Sequence, residues 1–200
     1  MNREIYATDG EYTIYPIVDS DRENYVELHR QLNGEETLFL NPYCKDMMWE
    51  QVLGGRDKVF SIYDINDEYC GSMELQRLET DVPEIGIDLM LSKRNKGIAA
   101  RVIKLLAKRA YQDKPVEYYL IRISSRNPHS KHVFEKMGVI PIRTTESTFK
   151  IFMKSFKEAI GDIDVSDEVQ DKLKRHFDES ENLEEEVVYE YKLVPEIFLI

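Results

Sequence analysis

Ser92-Lys-Arg-Asn-Lys-Gly-Ile-Ala-Ala100 follows the alternating run Ile85-Gly-Ile-Asp-Leu-Met-Leu91 and opens an amphipathic segment. A strand, a small-residue loop and a helix in that order gather backbone N–H groups at a helix N-terminus, where the peptide dipoles also favour negative charge. Gly97 permits close approach to the main chain, and Ala99 and Ala100 are small enough not to obstruct it. The stretch reads as a cradle for a pyrophosphate. Residues 92–112 carry seven basic side chains (Lys93, Arg94, Lys96, Arg101, Lys104, Lys108, Arg109) and no Asp or Glu, in a chain with 38 acidic residues against 27 basic. At the chain average about three acidic residues would fall in 93–109, so the local inversion of sign points to an anionic ligand. Four or five charge-assisted hydrogen bonds, each contributing roughly 1.5–3 kcal/mol, hold a diphosphate without a metal. The P-loop pattern and the Gly-x-Gly-x-x-Gly dinucleotide pattern are both absent.

Working outward, Lys96 to Tyr111 places Ile98, Val102, Leu105, Leu106 and Ala110 on one helical face, the spacing of a helix laid on a sheet. Val116-Glu-Tyr-Tyr-Leu-Ile-Arg-Ile123 is apolar enough for a central strand, and with the strand Pro83–Leu91 it predicts a parallel, right-handed unit. A second strand-to-helix junction follows, where Asn127 can cap a helix starting at Pro128 and Gly138 suits the residue past its end. Val133, Phe134 and Met137 form its inward stripe. Upstream, Glu11–Ile17 reads as a strand, Asp19 onward as a helix, and Pro42–Leu53 as a second helix. Lys58–Tyr63 and Tyr69–Leu75 flank a turn-rich connection and predict a hairpin. Gly138–Arg143 and Val187–Lys192 predict two more strands, separated by helical candidates near 149–160 and 166–177. The expected architecture is a single mixed α/β (α+β) domain over 1–200, with a helical acidic insertion at about 149–182.

Two hundred residues with 42% hydrophobic content, eight Phe and twelve Tyr suffice for a packed core. A net charge of −11 argues against a general nucleic-acid binder. That acidity is local, because residues 161–190 hold twelve Asp and Glu against Lys172, Lys174 and Arg175. Such a block reads as a solvated surface, or as an acidic wall that attracts a cation. Cys44 and Cys70 lack metal-ligand spacing, and no run approaches the ~18 apolar residues needed to cross a bilayer. With no apolar signal core at the N-terminus, the expectation is a cytoplasmic protein that binds no membrane. His29, His129, His132 and His176 are scattered and support neither a triad nor a metal site.

Arg94-Asn-Lys-Gly97-Ile-Ala99 resembles the Arg/Gln-x-x-Gly-x-Gly/Ala signature of the GNAT acyltransferases. Asn127-Pro-His-Ser130-Lys-His-Val-Phe134-Glu-Lys-Met-Gly138-Val resembles the element around that family's fourth helix. The resemblance covers roughly 70–146 and looks most like the branch of ribosomal-protein N-terminal acetyltransferases. It implies a mostly antiparallel sheet of about seven strands with one splayed parallel pair, flanked by helices. It also implies acetyl-CoA as cosubstrate, with no metal. Carried over residue by residue, backbone groups of Leu89, Met90 and Leu91 would meet the pantetheine. Lys96, Gly97, Ile98, Ala99 and Ala100 would hold the pyrophosphate, Asn127 and Ser130, with neighbouring Lys131, would line the far side, and Arg94, Asn95 and Phe134 complete the implied cofactor-binding set.

The implied reaction is attack by a primary amine on a thioester, which needs a neutral amine, an acceptor for its proton and donors toward the carbonyl oxygen. The acceptor would be a small molecule or a protein N-terminus. Glu84 is the first choice of base, with Glu74, Asp88 and Tyr118 as alternatives. Many relatives carry a Tyr in the fourth helix to protonate the leaving thiolate; here that position is Phe134, so either the Ser130 hydroxyl substitutes or the thiolate, a good leaving group, departs with little help. A chain that keeps the cradle and lacks that Tyr could instead be a catalytically silent CoA-binding sensor or regulatory subunit. Exposed strand edges allow a homodimer.

Overall fold

A computed structural model describes residues 3–33, 41–146 and 186–198. The helical candidates near 149–160 and 166–177, and most of the acidic 161–190 segment, lie outside the described residues. Within them the chain forms one eight-stranded sheet in the order β1-β2-β3-β4-β5-β6-β8-β7. The strands are β1 (Ala7–Thr8), β2 (Tyr12–Pro16), β3 (Lys58–Asp64), β4 (Tyr69–Gln76), β5 (Glu84–Leu89), β6 (Tyr119–Ser124), β7 (Ile140–Glu146) and β8 (Val187–Leu193). The helices are α1 (Arg22–Asn33), α2 (Pro42–Gly54), α3 (Ile98–Asp113) and α4 (Pro128–Lys136). The mixed, mostly antiparallel sheet matches the expectation, with one strand more than the seven foreseen. The addition, β1, is two residues long and pairs Ala7 with Ile14 and Thr8 with Thr13, while Tyr6 N, just before it, donates to Ile14 O at 2.9 Å.

One face of the sheet is apolar. Phe60, Ile62, Met73, Leu75, Ile85, Ile121 and Ile123 pack there beneath Val102, Ile103, Leu106 and Ala107 of α3 and Phe134 of α4. Ile103 and Ala107 are fully buried besides four of the five positions read from the helical spacing, whereas Leu105 is only half-buried. Each fully buried aliphatic side chain contributes roughly 1.5–3 kcal/mol relative to exposure, so the face of α3 fixes that helix against the sheet.

The other face is polar where β4, β5 and β6 meet. Cross-strand partners point to the same face. The register pairs Ser72 with Asp88, Glu74 with Gly86 and Gln76 with Glu84, and Glu84 with Leu120. Alternation then puts Arg122 and Ser124 on that face too. Helix α1, led in by a 3-10 turn at Asp19–Asp21, packs against β4 from this side.

At the entry to α1 the carboxylate of Asp21, 1% exposed, accepts hydrogen bonds from both terminal nitrogens of Arg3, from Ser61 Oγ at 2.8 Å and from Tyr63 Oη at 2.7 Å. The Arg3 guanidinium lies 4.5 Å and 5.0 Å from the ring centroids of Tyr15 and Tyr63. The N-terminal segment is thereby fastened to β2 and β3.

Candidate active site

Strands β5 and β6 are parallel and pair only at their starts. Leu120 N donates to Pro83 O at 2.8 Å, the register is Glu84 with Leu120, and no further pairs follow. Main-chain groups of alternate residues face the same edge of a strand. Since Pro83 O faces β6, so do the amides and carbonyls of Ile87 and Leu89, now without a strand opposite. The sheet therefore opens into a wedge, bounded on one side by an unpaired backbone edge.

On the α3 side of the wedge lies a cavity of about 550 Å³ lined by Leu89, Arg94, Asn95, Gly97, Ile98, Ala99 and Ala100 together with His129, His132, Val133 and Lys136 of α4. Gly97 is the N-cap of α3 with φ +75°, a left-handed conformation that glycine adopts without strain. A Cβ there would meet nothing within 4 Å, so conformation and room for a ligand, rather than packing, call for glycine. No side chain caps α3 and its first turn holds no acid, which leaves its first N–H groups open to the cavity. That is the geometry of an anion site.

On the α1 side lies a second cavity of about 260 Å³, lined by Ser72, Glu74, Gln76, Gly86, Asp88 and Arg122 among others. Ile87, Asp88, Asn127, Ser130 and Phe134 line both. These five residues form the throat through which one side of the sheet communicates with the other.

The acids of the second cavity are perturbed. Burial pushes the Asp88 carboxyl above the usual carboxylate range, against the opposing charges of His29 and Arg94. Burial likewise raises Glu74, with the hydrogen bond from Gln76 opposing and the Asp88 charge adding to the rise. Burial holds His29 below its usual range, and the Asp88 charge acts in the opposite sense. The His29 ring lies 4.3 Å from that of Tyr25, so α1 brings both side chains over the acidic pair.

Ten of the residues chosen from sequence come together around the first cavity: Leu89, Arg94, Asn95, Gly97, Ile98, Ala99, Ala100, Asn127, Ser130 and Phe134. Met90, Leu91, Lys96 and Lys131 do not line it. Met90 N donates to Cys70 O at 3.0 Å, and Leu91 N donates to Gln31 Oε1 at 3.1 Å. Lys131 Nζ sits 4.5 Å from the Tyr189 ring centroid. Asn127 Oδ1 accepts from Ser130 N at 2.9 Å, so this residue caps α4 as well as lining the throat.

Glu84 lines neither cavity. Its Oε1 accepts from Arg122 Nε at 2.9 Å, and its Oε2 is buried with no hydrogen-bond partner. Tyr118 is likewise outside both cavities, beneath Lys192 Nζ at 4.3 Å. Sequence reading left out His129, His132 and Lys136, although their i, i+3, i+7 spacing is the signal of one helical face. Arg122 was passed over because only strand parity shows which face it joins.

Part of the basic excess around the cradle has an internal explanation. Lys93 Nζ bonds Asp64 at 2.8 Å and Glu68, Arg101 pairs with Asp9 and Glu11, and Arg109 pairs with Asp113. Of the seven basic side chains, Arg94 alone lines the cavity, and its Nε donates to Leu89 O at 3.3 Å. The open helix terminus, more than the summed charge, is what suits this end of the cavity to an anion. Among the described residues no group of three His, Cys, Asp or Glu side chains could hold a metal, and no helix is long and apolar enough to cross a membrane.

No curated protein matches the sequence. Solved structures resemble the fold across nearly the whole chain. A mutant of the spermidine N-acetyltransferase SpeG from Vibrio cholerae superposes with a TM-score of 0.67 at 13% identity, covering 96% of this chain and 98% of that one. The same enzyme in complex with CoA and spermine gives 0.63 at 13% identity, covering 96% and 100%. A chimera of Vibrio cholerae SpeG and hSSAT gives 0.65 at 14% identity, covering 94% and 98%. Residues 12–140 match the acetyltransferase (GNAT) domain family, a span running from β2 to the start of β7 and enclosing the wedge, the cradle and α4. With well over half of its length matched, this chain belongs to the GNAT acetyltransferases.

Proposed function

We propose that the protein transfers an acetyl group from acetyl-CoA to a primary amine. The observation that carries this reading is the meeting of two cavities at the splay of β5 and β6. One has an uncapped helix terminus suited to a diphosphate, the other has buried acids suited to an amine, and five residues are shared between them. The N–H groups of Gly97 to Arg101 would hold the pyrophosphate, with Arg94 and Asn95 beside it. The open backbone edge at Ile87 and Leu89 would receive the pantetheine amides as a strand would, and the thioester would reach the throat.

In the reaction the amine nitrogen attacks the thioester carbon, the carbon–sulfur bond breaks, and CoA leaves as thiolate. Asp88 is the proposed proton acceptor, because it lines both cavities and its raised carboxyl is a better base than an ordinary one. Glu84 takes a positioning role through Arg122. Ser130, also in the throat, is placed to donate a hydrogen bond to the departing thiolate, in the absence of a tyrosine at Phe134. The neighbouring structures whose names specify spermidine, and the one holding CoA and spermine, support an amine acceptor. A protein N-terminus is the other acceptor of the same chemistry. We place the protein in the cytoplasm, in keeping with free thiols at Cys44 and Cys70.

A second reading rests on Phe134, buried and incapable of giving a proton. On that reading the chain binds CoA and transfers nothing. Calorimetric titration with acetyl-CoA, dephospho-CoA and adenosine diphosphate, followed by an amine panel, separates the two. Diphosphate-dependent binding with acetylation of any amine supports transfer. Binding without acetylation or slow thioester hydrolysis supports the sensor, and no binding at millimolar ligand overturns both.

A further inference from the structure

The second cavity is not uniformly acidic. Glu74 on β4 is paired in register with Gly86 on β5, and the register of Glu84 with Leu120 puts Arg122 of β6 at the level of Gly86. Glu74, Gly86 and Arg122 therefore form a row across three strands on the polar face. Gly86 contributes no side chain, and a Cβ there would meet nothing closer than Glu74 Cβ at 3.8 Å. The row is thus a trough with a carboxylate at one wall and a guanidinium at the other. Asp88 stands one step along, beside the throat.

The guanidinium has capacity left. Arg122 gives its Nε to Glu84, which fixes the plane of the group, while its side chain is 45% exposed and lines the cavity. The two terminal nitrogens of an arginine so held form a fork that matches a carboxylate. At the opposite wall, the Asp88 charge adds to the raised proton affinity of Glu74, a repulsion that an ammonium between them offsets. Adjacent paired strands are about 4.8 Å apart, and β5 and β6 have begun to part at this level, so main chains at the two walls are separated by at least about 10 Å. Subtracting one hydrogen bond of about 2.8 Å at each end leaves at least about 4 Å between the two charged groups of an occupant. An extended dipeptide, at about 3.5 Å per residue, spans that distance.

On the acetyl-transfer reading, we propose that the acceptor is a short zwitterion of dipeptide length. Its amine lies between Glu74 and Asp88, facing the throat, and its carboxylate docks on Arg122. A linear polyamine fits this trough poorly. Its second ammonium would meet the guanidinium, and like charges in a partly desolvated cavity discriminate strongly between ligands. The alternative is that Arg122 serves only to neutralise the buried Glu84.

The test compares binding of Ala-Ala, its C-terminal amide and spermidine to the CoA-saturated protein by calorimetry, with acetyl-product formation measured in parallel. Ala-Ala should bind at least about tenfold more tightly than either of the others. In Arg122→Met the preference over the amide should vanish, while Arg122→Lys should keep part of it. Since Arg122→Met strands a buried carboxylate, the double variant Glu84→Gln/Arg122→Met serves as its folded counterpart, and the wild-type comparison needs no variant at all. Equal binding of Ala-Ala and its amide, tighter binding of spermidine, or no binding of Ala-Ala overturns the proposal. Carboxylate-dependent binding without acetylated product leaves the zwitterion site standing and removes the transfer reading instead.

Discussion

The side-chain oxygen Oδ1 of Asn127 accepts the amide hydrogen of Ser130 at 2.9 Å, so a residue at the throat between the two cavities also starts the helix that carries Ser130 and Phe134. Losing an N-cap of this kind costs about 1 kcal/mol. Asn127→Ala should lose that much stability by urea denaturation, and Asn127→Asp, an equally good cap, should lose almost none. If Asn127→Ala is as stable as the parent, the cap is not what fixes the start of α4.

Gly97→Glu places a carboxylate where the anion site opens and forces a side chain into a left-handed residue. Acetyl-CoA affinity should fall at least about a hundredfold, with one unfavourable charge contact and lost helix-terminus bonds combining. Far-ultraviolet circular dichroism should remain close to that of the parent, because a Cβ at this position meets nothing within 4 Å. Retained affinity would remove the cradle from the α3 terminus.

Asp88→Asn should lower kcat by roughly 10²–10⁴-fold with acetyl-CoA affinity unchanged, the usual range for loss of a positioned base. Glu84→Gln should lower kcat by less than about tenfold, since Glu84 acts through Arg122. The rising limb of kcat/KM against pH should lie above the ordinary carboxylate range and be lost in Asp88→Asn. The reverse order of the two variants would return the base to Glu84.

The raised carboxyl of Glu74 makes a statement about stability. An acid whose folded value lies above its unfolded one contributes fully at low pH, and that contribution is lost as pH rises through the folded value. Glu74→Gln removes the titration. Parent and variant should melt at similar temperatures near about pH 4, and the variant should become the more stable one from there toward neutrality. A variant whose advantage shrinks with rising pH would contradict the assigned direction.

Asp21 is buried beneath Arg3, Ser61 and Tyr63 with every bond donated to its carboxylate. Asp21→Ala strands the guanidinium and should cost about 3–5 kcal/mol in denaturant titration. A loss below about 1 kcal/mol would mean that the N-terminal segment is held by its aromatic contacts alone.

The legible parts of the fold were those with short-range causes. The cap at Asn127, the proline after it, the glycine at 138 and the strand-loop-helix around Gly97 are local, and all are present as read. What escaped reading depends on distant partners. Arg101 looked available to a ligand until Asp9 and Glu11, about ninety positions away in sequence, were brought beside it by the turn between β1 and β2. The contrast between Glu84 and Asp88 is subtler still. They lie on the same face of one strand, and only the point at which β6 diverges leaves the second at the opening and the first under Arg122. Four positions along a strand decide which acid meets the throat, and nothing in the residue types announces it. Arg122 is hidden for the same reason.

Past Glu84 and Leu120 the sheet has an edge in its own middle, where Ile87 and Leu89 present main-chain donors and acceptors to a gap. Sheets ordinarily confine such sticky borders to their margins and blunt them there. A ligand whose amides fill the gap would act as a borrowed stretch of backbone, so the protein without it is the unfinished form. Solutions of the bare protein should cloud on gentle warming at temperatures where the ligand-filled protein stays clear, and storage life, as much as turnover, should follow the supply of cosubstrate.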